Sequence, residues 1–412
     1  MSWQAVAGQK LGEDFKERLI KETTSAIFGK GLEVTRDRAK VKEMAEKELS
    51  RLIALYGINL PPNIFQAILN QIVARTSGLG FMEAYLPPAC TEFTDIVLNP
   101  DGKLFGLRKT KEHFELLEEK VGLEEAWRVV EALLAPTGRS LSEATPTVDA
   151  RLPRGDGFGG ARIKIQHPSI APGSGYPAIS VRIFEQKPVK PEWLVEKKMF
   201  PRELMMKLLE WTRMGYRIIV VGETKAGKTT TLSALLDALP KEARIVKIED
   251  PEEIWLDPEK HPNVVTLEAR PAIPGSPVPP YTVKDGVDDA LRMAPNWLVV
   301  GEVRRGDAAL SLLRAQMSDH PGLTTFHAAG PEAMVMRLCA IMYADAGVRI
   351  EAAKMFIAQA VDIVIWVGFA EGIRKCLGVW EIERTLKGGD VHFRKLWDPA
   401  EPQKILEPER KR

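Results

Sequence analysis

The chain has 412 residues, of which 45% are apolar and 27% are charged, and 57 Lys and Arg against 56 Asp and Glu give a formal net charge of +1. This composition is too apolar for a disordered chain and lacks the excess positive charge of a dedicated nucleic-acid-binding protein. Three cysteines exclude a disulfide framework and a four-thiolate zinc site, and they favour a reducing compartment. At about 150 residues per domain, this length predicts two or three domains.

The sequence predicts a protein that does not span a membrane. Its first ten residues have no apolar core, and residues 11–30 are dense in charge, unlike an export signal. The longest apolar runs fall well short of the roughly 18 residues that a spanning helix needs. We therefore expect a cytoplasmic protein whose association with a membrane would be peripheral.

The first part of the chain predicts helices and then strands. Apolar residues recur at helical spacing within residues 1–76, which predicts a lead of three helices. Phe93–Leu98 predicts a strand, Asn99–Gly102 a turn, and Leu104–Leu107 a return strand. Glu112–Leu134 predicts a single helix.

Two later strands carry cations at alternate positions. In Ala161–Gln166 apolar residues alternate with Arg162 and Lys164, and in Ile179–Phe184 they alternate with polar residues that include Arg182. Such alternation buries one face of a sheet and exposes the other. The exposed cations indicate an anionic partner, and a solvated basic face is the alternative.

A proline-containing segment separates this region from an α/β alternation. Lys187–Pro191 predicts a semi-rigid linker, after which Phe200–Gly215 predicts a helix. Pro271–Pro280 holds five prolines, so we expect an irregular and functional loop. The predicted organisation is a helical lead (1–76), an α+β domain (77–186), a linker (187–196) and an α/β domain (197–412).

Residues 222–229 read GETKAGKT and match the phosphate-binding pattern G-x-x-x-x-G-K-[ST]. The composition gives roughly 0.014 chance matches to this pattern in a chain of this length. Ile218–Val221 predicts a strand before the loop and Thr229–Leu239 a helix after it, which is the context that the motif requires. The predicted nucleotide-binding residues are Gly222, Glu223, Thr224, Lys225, Ala226, Gly227, Lys228, Thr229 and Thr230.

The residue types of this loop suit a nucleotide. Glycines let backbone N–H groups turn towards phosphate oxygens, and the helix N-terminus adds partial positive charge. We expect Lys228 to neutralise the β- and γ-phosphates and the Thr229 hydroxyl to ligate Mg²⁺.

Two predicted strands end in acidic residues, which a phosphate loop needs for the metal and the attacking water. Arg244–Glu249 is followed directly by Asp250, and Trp297–Glu302 ends in Glu302. The acidic strand that accompanies a phosphate-binding loop, called Walker B, usually ends in Asp, so Glu302 departs from the common pattern. Each acid alone could be a solvated strand end, but together they favour a functional role.

Two histidines lie in one stretch near another predicted strand. His327 follows Leu323–Phe326, and His320 precedes it. In open α/β sheets, ligands bind outside the carboxyl ends of the strands. We expect His327 to sense a γ-phosphate, and a structural role is the alternative.

Four segments together resemble the type II/IV secretion-system ATPases. They are similar to that family's Walker A, Asp box, Walker B and His box, and they are Gly222–Thr230, Ile248–Ile254, Leu291–Arg305 and Ser318–Ala329. In this family Glu302 is an ordinary feature rather than a departure. Residues 291–322 resemble the branch that drives Tad/Flp pili and conjugative type IV secretion, although Arg305 stands where that branch usually has Gly.

The resemblance implies a fold and an assembly. Residues 197–412 would form a RecA-like P-loop ATPase domain, and residues 77–186 a PAS-like α+β domain. The protein would be a homohexameric ring with nucleotide between its N-terminal and C-terminal domains. Arg162 and Arg182, with Arg151 as a further candidate, would reach the phosphates.

The resemblance also implies an activity, which is ATP hydrolysis with Mg²⁺ coupled to domain rotation about the linker. Thr229 and Glu302 would organise the metal, and Glu249 would polarise the attacking water, a role that Glu302 could share or take. The motor would power pilus assembly or secretion. Its partners would be inner-membrane platform or secretion-channel proteins at the cytoplasmic face, without direct binding of nucleic acid.

Two other classes of function stay open. One is a slowly hydrolysing nucleotide-dependent switch or scaffold, and the other is a DNA-translocating P-loop ATPase, which the neutral net charge disfavours. Within the family, the sequence does not separate pilus extension, pilus retraction and conjugative transfer.

Overall fold

The computed structural model forms two compact units, residues 1–186 and residues 187–412. Each unit combines helices with its own sheet, so the mixed α/β class predicted from the sequence is confirmed. The residues that the structure describes are 13–28, 38–77, 79–111, 113–134, 139–152, 154, 160–185, 187–272, 277–318 and 320–409.

Helices α1 (Glu13–Phe28), α2 (Arg38–Leu55) and α3 (Pro62–Ser77) open the first unit, as the spacing of apolar residues predicts. Apolar residues that recur every three or four positions give each helix one apolar stripe. The three stripes meet in a common core, in which Leu49 and Ile72 are fully buried.

The rest of the first unit is an antiparallel sheet of six strands. The strands are β1 (Phe93–Leu98), β2 (Leu104–Arg108), β3 (Glu115–Glu118), β4 (Thr147–Leu152), β5 (Ala161–Gln166) and β6 (Ala178–Ile183), preceded by a 3-10 helix (Gly80–Tyr85). Their order across the sheet is β3-β2-β1-β6-β5-β4. Alternate residues such as Ile163 and Val181 enter a core shared with helix α4 (Leu123–Leu134), as the alternation predicts.

The prediction of one helix over Glu112–Leu134 is wrong in its first half. Glu115–Glu118 is a strand that pairs with β2 at the edge of the sheet, and the helix begins only at Leu123. Glu and Leu favour a helix locally. Pairing with β2 supplies backbone hydrogen bonds that a local pattern does not reveal, and it overrides that preference.

The second unit is built on a sheet of eight strands. The strands are β7 (Ile218–Gly222), β8 (Ile245–Glu249), β9 (Val264–Glu268), β10 (Trp297–Val303), β11 (Gly322–His327), β12 (Ile363–Ala370), β13 (Ile373–Ile382) and β14 (Phe393–Trp397). Their order is β14-β13-β12-β7-β11-β10-β8-β9, parallel from β12 to β9 and antiparallel from β12 to β14.

Helices cover both faces of this sheet. They are α5 (Pro191–Glu196), α6 (Arg202–Arg213), α7 (Lys228–Leu236), α8 (Val283–Ala290), α9 (Gly306–Met317), α10 (Pro331–Ala346) and α11 (Ile350–Ala360). Ile218 and Val220 of β7 enter the core beneath α5–α7, whereas Ile219 and Val221 enter the core beneath α8–α11. Burial on both faces explains why β7 reads as a continuous apolar run. No helix of the described residues has the length and apolar character to cross a membrane.

The proline-rich segment Pro271–Pro280 is expected to be irregular. Residues 273–276 lie outside the described residues, and the remainder of the segment forms neither helix nor strand. Arg270 and Tyr281 flank it and form an isolated antiparallel bridge, with N–H to carbonyl distances of 2.7 and 2.9 Å. The chain therefore leaves and rejoins the fold at one point.

A buried ion pair joins the amino ends of β7 and β12. Arg217 and Asp362 precede these strands, and their side chains are 3% and 0% exposed. Arg217 donates from Nε and Nη2 to the two carboxylate oxygens at 2.9 and 2.8 Å, and from Nη1 to the carbonyl oxygen of Gln316 at 2.6 Å. The guanidinium therefore depends on Asp362 for its counter-charge.

We predict that Asp362→Asn lowers the free energy of unfolding of the second unit by about 3 kcal/mol, because it leaves a buried guanidinium without a counter-charge. Urea denaturation followed by tryptophan fluorescence measures the loss. The control is Asp288→Asn, which breaks an exposed pair with Lys284 and should change stability by less than about 0.5 kcal/mol. Equal stability of the two variants would contradict the prediction.

Candidate functional site

The phosphate-binding loop lies between β7 and α7, so the strand–loop–helix context predicted from the sequence is present. A Cβ at Gly222 would collide with the carbonyl oxygen of Val367 on β12, so only glycine fits there. Gly227 has φ +93°, in the left-handed region that glycine adopts without strain. The two glycines of the motif therefore serve the backbone path of the loop.

Lys228 lies over this loop with 9% of its surface exposed. Its Nζ donates to the carbonyl oxygen of Glu223 at 2.9 Å. Burial lowers the pKa of Lys228, the charge of Glu302 opposes that shift, and Arg304 and Arg337 reinforce it. An anion such as a phosphate would stabilise the charged form of this lysine.

Glu302 lies near the end of β10 and is the carboxylate whose charge acts on Lys228. Its side chain is 29% exposed, and one oxygen accepts from Nε of Arg304 at 2.5 Å. A carboxylate in this setting remains accessible to water and to a metal ion.

Glu249, at the end of the neighbouring strand β8, has a different environment. Its side chain is 2% exposed, and Oε1 accepts from Nζ of Lys247 at 2.9 Å. Oε2 accepts the backbone N–H groups of Glu253 and Ile254, each at 2.9 Å. Both oxygens are therefore engaged in holding the turn that follows β8.

His327 ends β11 and lies beside the first glycine of the loop, since His327 pairs with Gly222 in the parallel register. Its Nδ1 lies 3.0 Å from Nη1 of Arg337, and its Nε2 lies 3.1 Å from Oγ1 of Thr224. Arginine only donates, so Nδ1 accepts. We therefore assign the proton of the neutral ring to Nε2, which donates to the Thr224 hydroxyl.

His320 lies at the other end of the same strand. It precedes β11, and its Nδ1 is 3.2 Å from the carbonyl oxygen of Ala315. The structure therefore brings only His327 of this pair to the phosphate loop.

Two arginines at this site were missed by reasoning from the sequence. Arg337 of α10 contacts His327, and Arg374 of β13 donates from Nε to the carbonyl oxygen of Lys225 at 2.7 Å. Neither belongs to a phosphate-loop pattern. Only the sheet order, which sets β12 and its hairpin partner β13 beside β7, could have pointed to Arg374.

The donors available for a metal are oxygen atoms. The Thr229 hydroxyl and the Glu302 carboxylate are hard ligands of the kind that Mg²⁺ prefers. In the described ranges, no group of three or more His, Cys, Asp or Glu side chains could hold a metal ion. Mg²⁺ usually takes one or two protein ligands and completes its coordination with phosphates and water.

The predicted arginines of the first unit form a row across its sheet. Arg151 pairs with Arg162 across β4 and β5, Arg162 pairs with Arg182 across β5 and β6, and Arg182 pairs with Asp95 of β1. Arg182 Nη1 lies 3.6 Å from Asp95 Oδ1. Like charges directly opposite each other destabilise a sheet, and the carboxylate of Asp95 offsets this at the Arg182 end of the row.

The family model described as "Type II/IV secretion system protein" matches residues 123–367, which is more than half of the chain. The protein therefore belongs to the type II/IV secretion ATPase superfamily, and the resemblance in the sequence is confirmed.

The chain is also similar to individual proteins. A Mycobacterium tuberculosis protein named "Putative conjugal transfer protein" is 29% identical over 330 residues, which cover 78% of this chain and 89% of that protein. An uncharacterized Methanocaldococcus jannaschii protein is 34% identical over 201 residues, which cover 49% of this chain and 34% of that protein. The crystal structure of the pilus retraction motor PilT with bound ADP has a TM-score of 0.51 at 19% identity, covering 73% of this chain and 79% of that one. This likeness shows a common fold.

The different environments of the two glutamates generate a prediction about stability. An amide at position 249 would turn its NH₂ group towards either Lys247 or the backbone N–H groups, so Glu249→Gln should lower the free energy of unfolding by about 2–4 kcal/mol. Glu302→Gln loses one partly exposed ion pair and should cost less than about 1 kcal/mol. Urea denaturation of both variants checks this, and equal losses would contradict it.

Proposed function

We propose that this protein hydrolyses ATP to power pilus assembly or the secretion of protein or DNA across the cell envelope. The observation that carries the proposal is the convergence of Lys228, Glu302 and His327 on one phosphate-binding loop. Membership of the secretion ATPase family supports the activity, and similarity to a protein named for conjugal transfer supports the setting.

Each residue has a role in this proposal. The loop N–H groups and Lys228 hold the phosphates, and Thr229 with Glu302 organises Mg²⁺. When bound, Mg²⁺ would neutralise phosphate charge. Glu302 also orients the attacking water, because both oxygens of Glu249 are engaged elsewhere. The protonated Nε2 of His327 lies against Thr224 of the loop, and His327 reports the γ-phosphate from there.

The proposal extends to the architecture and the assembly. Residues 197–412 act as a RecA-like motor domain, residues 77–186 as a PAS-like domain, and six copies form a ring. The ring works at the cytoplasmic face of the inner membrane with a platform or secretion-channel protein. The arginine row of the first unit supplies Arg162 and Arg182 to the phosphates, where an arginine finger contributes a factor of about 10³–10⁵ in rate.

The test of the activity is ATP turnover by purified protein with and without Lys228→Ala. We predict that Lys228→Ala lowers kcat at least about 100-fold, because it removes the positive charge that stabilises the transferred phosphoryl group. Lys241→Ala removes an exposed lysine outside the loop and should retain wild-type turnover.

The outcomes separate the candidate functions. Phosphate release by the wild type that is lost in Lys228→Ala supports a motor. Nucleotide binding with negligible release, even with membrane partners, supports a switch or scaffold instead. Strong stimulation by DNA would favour a DNA translocase.

We predict that Arg182→Ala lowers kcat by about 10-fold or more, because it removes one arginine of the proposed finger row. The matched control is Lys164→Ala, since Lys164 lies on the same sheet face and pairs with Asp149. Denaturation of the second unit should be unchanged in both variants. Wild-type kcat in Arg182→Ala would refute the role of this residue.

A further inference from the structure

We propose that Arg374 is a positioning residue that fixes the phosphate loop in the conformation that accepts nucleotide; this inference rests on the proposed function. Its Nε donates to the carbonyl oxygen of Lys225 at 2.7 Å. The bond joins the β12–β13 hairpin to the middle of the loop, between residues that are 149 positions apart.

The hydrogen bond from Arg374 to the carbonyl of Lys225 fixes the orientation of the peptide unit that contains this carbonyl. The carbonyl of Lys225 and the N–H of Ala226 form one rigid trans peptide, so they point in opposite directions. While Arg374 holds the carbonyl on one side, the N–H of Ala226 points the other way and donates to the carbonyl oxygen of Glu223 at 3.2 Å.

The carbonyl of Glu223 then connects this peptide to the phosphate-binding lysine. The same oxygen accepts Nζ of Lys228 at 2.9 Å. A chain of three hydrogen bonds therefore runs from Arg374 through the Lys225–Ala226 peptide to Lys228. A change at Arg374 should reach the lysine without removing any group that touches the nucleotide.

The backbone at Lys225 needs such support. Its φ is +64°, in the left-handed region that non-glycine residues rarely occupy. Strained backbone of this kind persists only where its surroundings hold it. Arg374 supplies the hold from outside the loop, as a charged donor to one carbonyl.

The hairpin that carries Arg374 is itself fixed against the loop. The N–H of Cys376 donates to the carbonyl oxygen of Met199 at 2.8 Å. The side chain of Met199 lies against Gly227, where an added Cβ would approach its Cε to 3.0 Å. The stem of Arg374 flanks the same glycine, with Cδ 3.7 Å from that Cβ position. The β12–β13 hairpin therefore holds Arg374 in a fixed position beside the loop.

The experiment compares Arg374→Met, Arg374→Lys and a control, Lys375→Met. Methionine keeps an apolar stem without a donor, and lysine keeps a charged donor at the end of a flexible stem, one bond further out than Nε of arginine. Lys375 is the next residue, and its Nζ pairs with Glu371 at 2.8 Å on the exposed surface. Thermal unfolding of each variant shows that the fold is retained.

Two readouts are used, namely the Kd for ADP by equilibrium titration and the hydrogen exchange of a peptide that covers the loop. We expect Arg374→Met to weaken ADP binding about 5- to 10-fold and to speed loop exchange several-fold, as loss of one charged hydrogen bond allows. Arg374→Lys should recover most of both effects, and Lys375→Met should match the wild type.

Three results would overturn the inference. They are unchanged affinity and exchange in Arg374→Met, equal losses in Lys375→Met, or no recovery in Arg374→Lys. If the wild type binds no nucleotide, the proposed function fails, whereas the exchange measurement still decides whether Arg374 holds the loop.

Discussion

The site depends on the parallel pairing of β7 with β11 on one side and β12 on the other. This register sets His327 opposite Gly222, and it brings the carbonyl of Val367 so close to Gly222 that no side chain fits. The phosphate-binding loop therefore leaves the sheet at the end of β7, between strands β11 and β12. Because β7 is apolar on both faces, a slip in register would disturb two cores at once. The core therefore fixes the position of the loop before any ligand binds.

Several positively charged side chains lie around the phosphate-binding loop, although the chain as a whole is nearly neutral. The chain as a whole carries a formal net charge of +1. Around the loop, Arg304 pairs with the carboxylate of Glu302, Arg337 contacts His327, and Arg374 donates to the carbonyl of Lys225. Together with Lys228 these cations favour an anionic ligand at the loop. The lowered pKa of the buried Lys228 also favours an anionic ligand. Burial removes the hydration that stabilises its charge, and a bound polyphosphate would replace that stabilisation.

The features of this fold that are encoded locally could be predicted from the sequence. The strand–loop–helix at 218–236 and the strand ends that carry Glu249, Glu302 and His327 follow from short patterns. The partners of these residues did not follow, because they come from distant parts of the chain. Arg374 meets a residue 149 positions away, and that contact exists only through the order of the strands. The strand β3 was mistaken for helix for the same reason, since its identity depends on pairing with β2.

Glu249 and Glu302 are the same residue type, but their surroundings give them different roles. Both lie at the carboxyl ends of strands that are adjacent in the sheet, so the sequence could not settle which of them is the base. Glu249 is enclosed and uses both oxygens to hold Lys247 and the turn after β8. A Cβ at Gly301 would lie only 3.0 Å from its Cγ, so glycine before Glu302 makes room for that buried side chain. Gly301 thus lets Glu249 hold the turn after β8 while the carboxylate of Glu302 stays accessible. A base that activates water needs that accessibility.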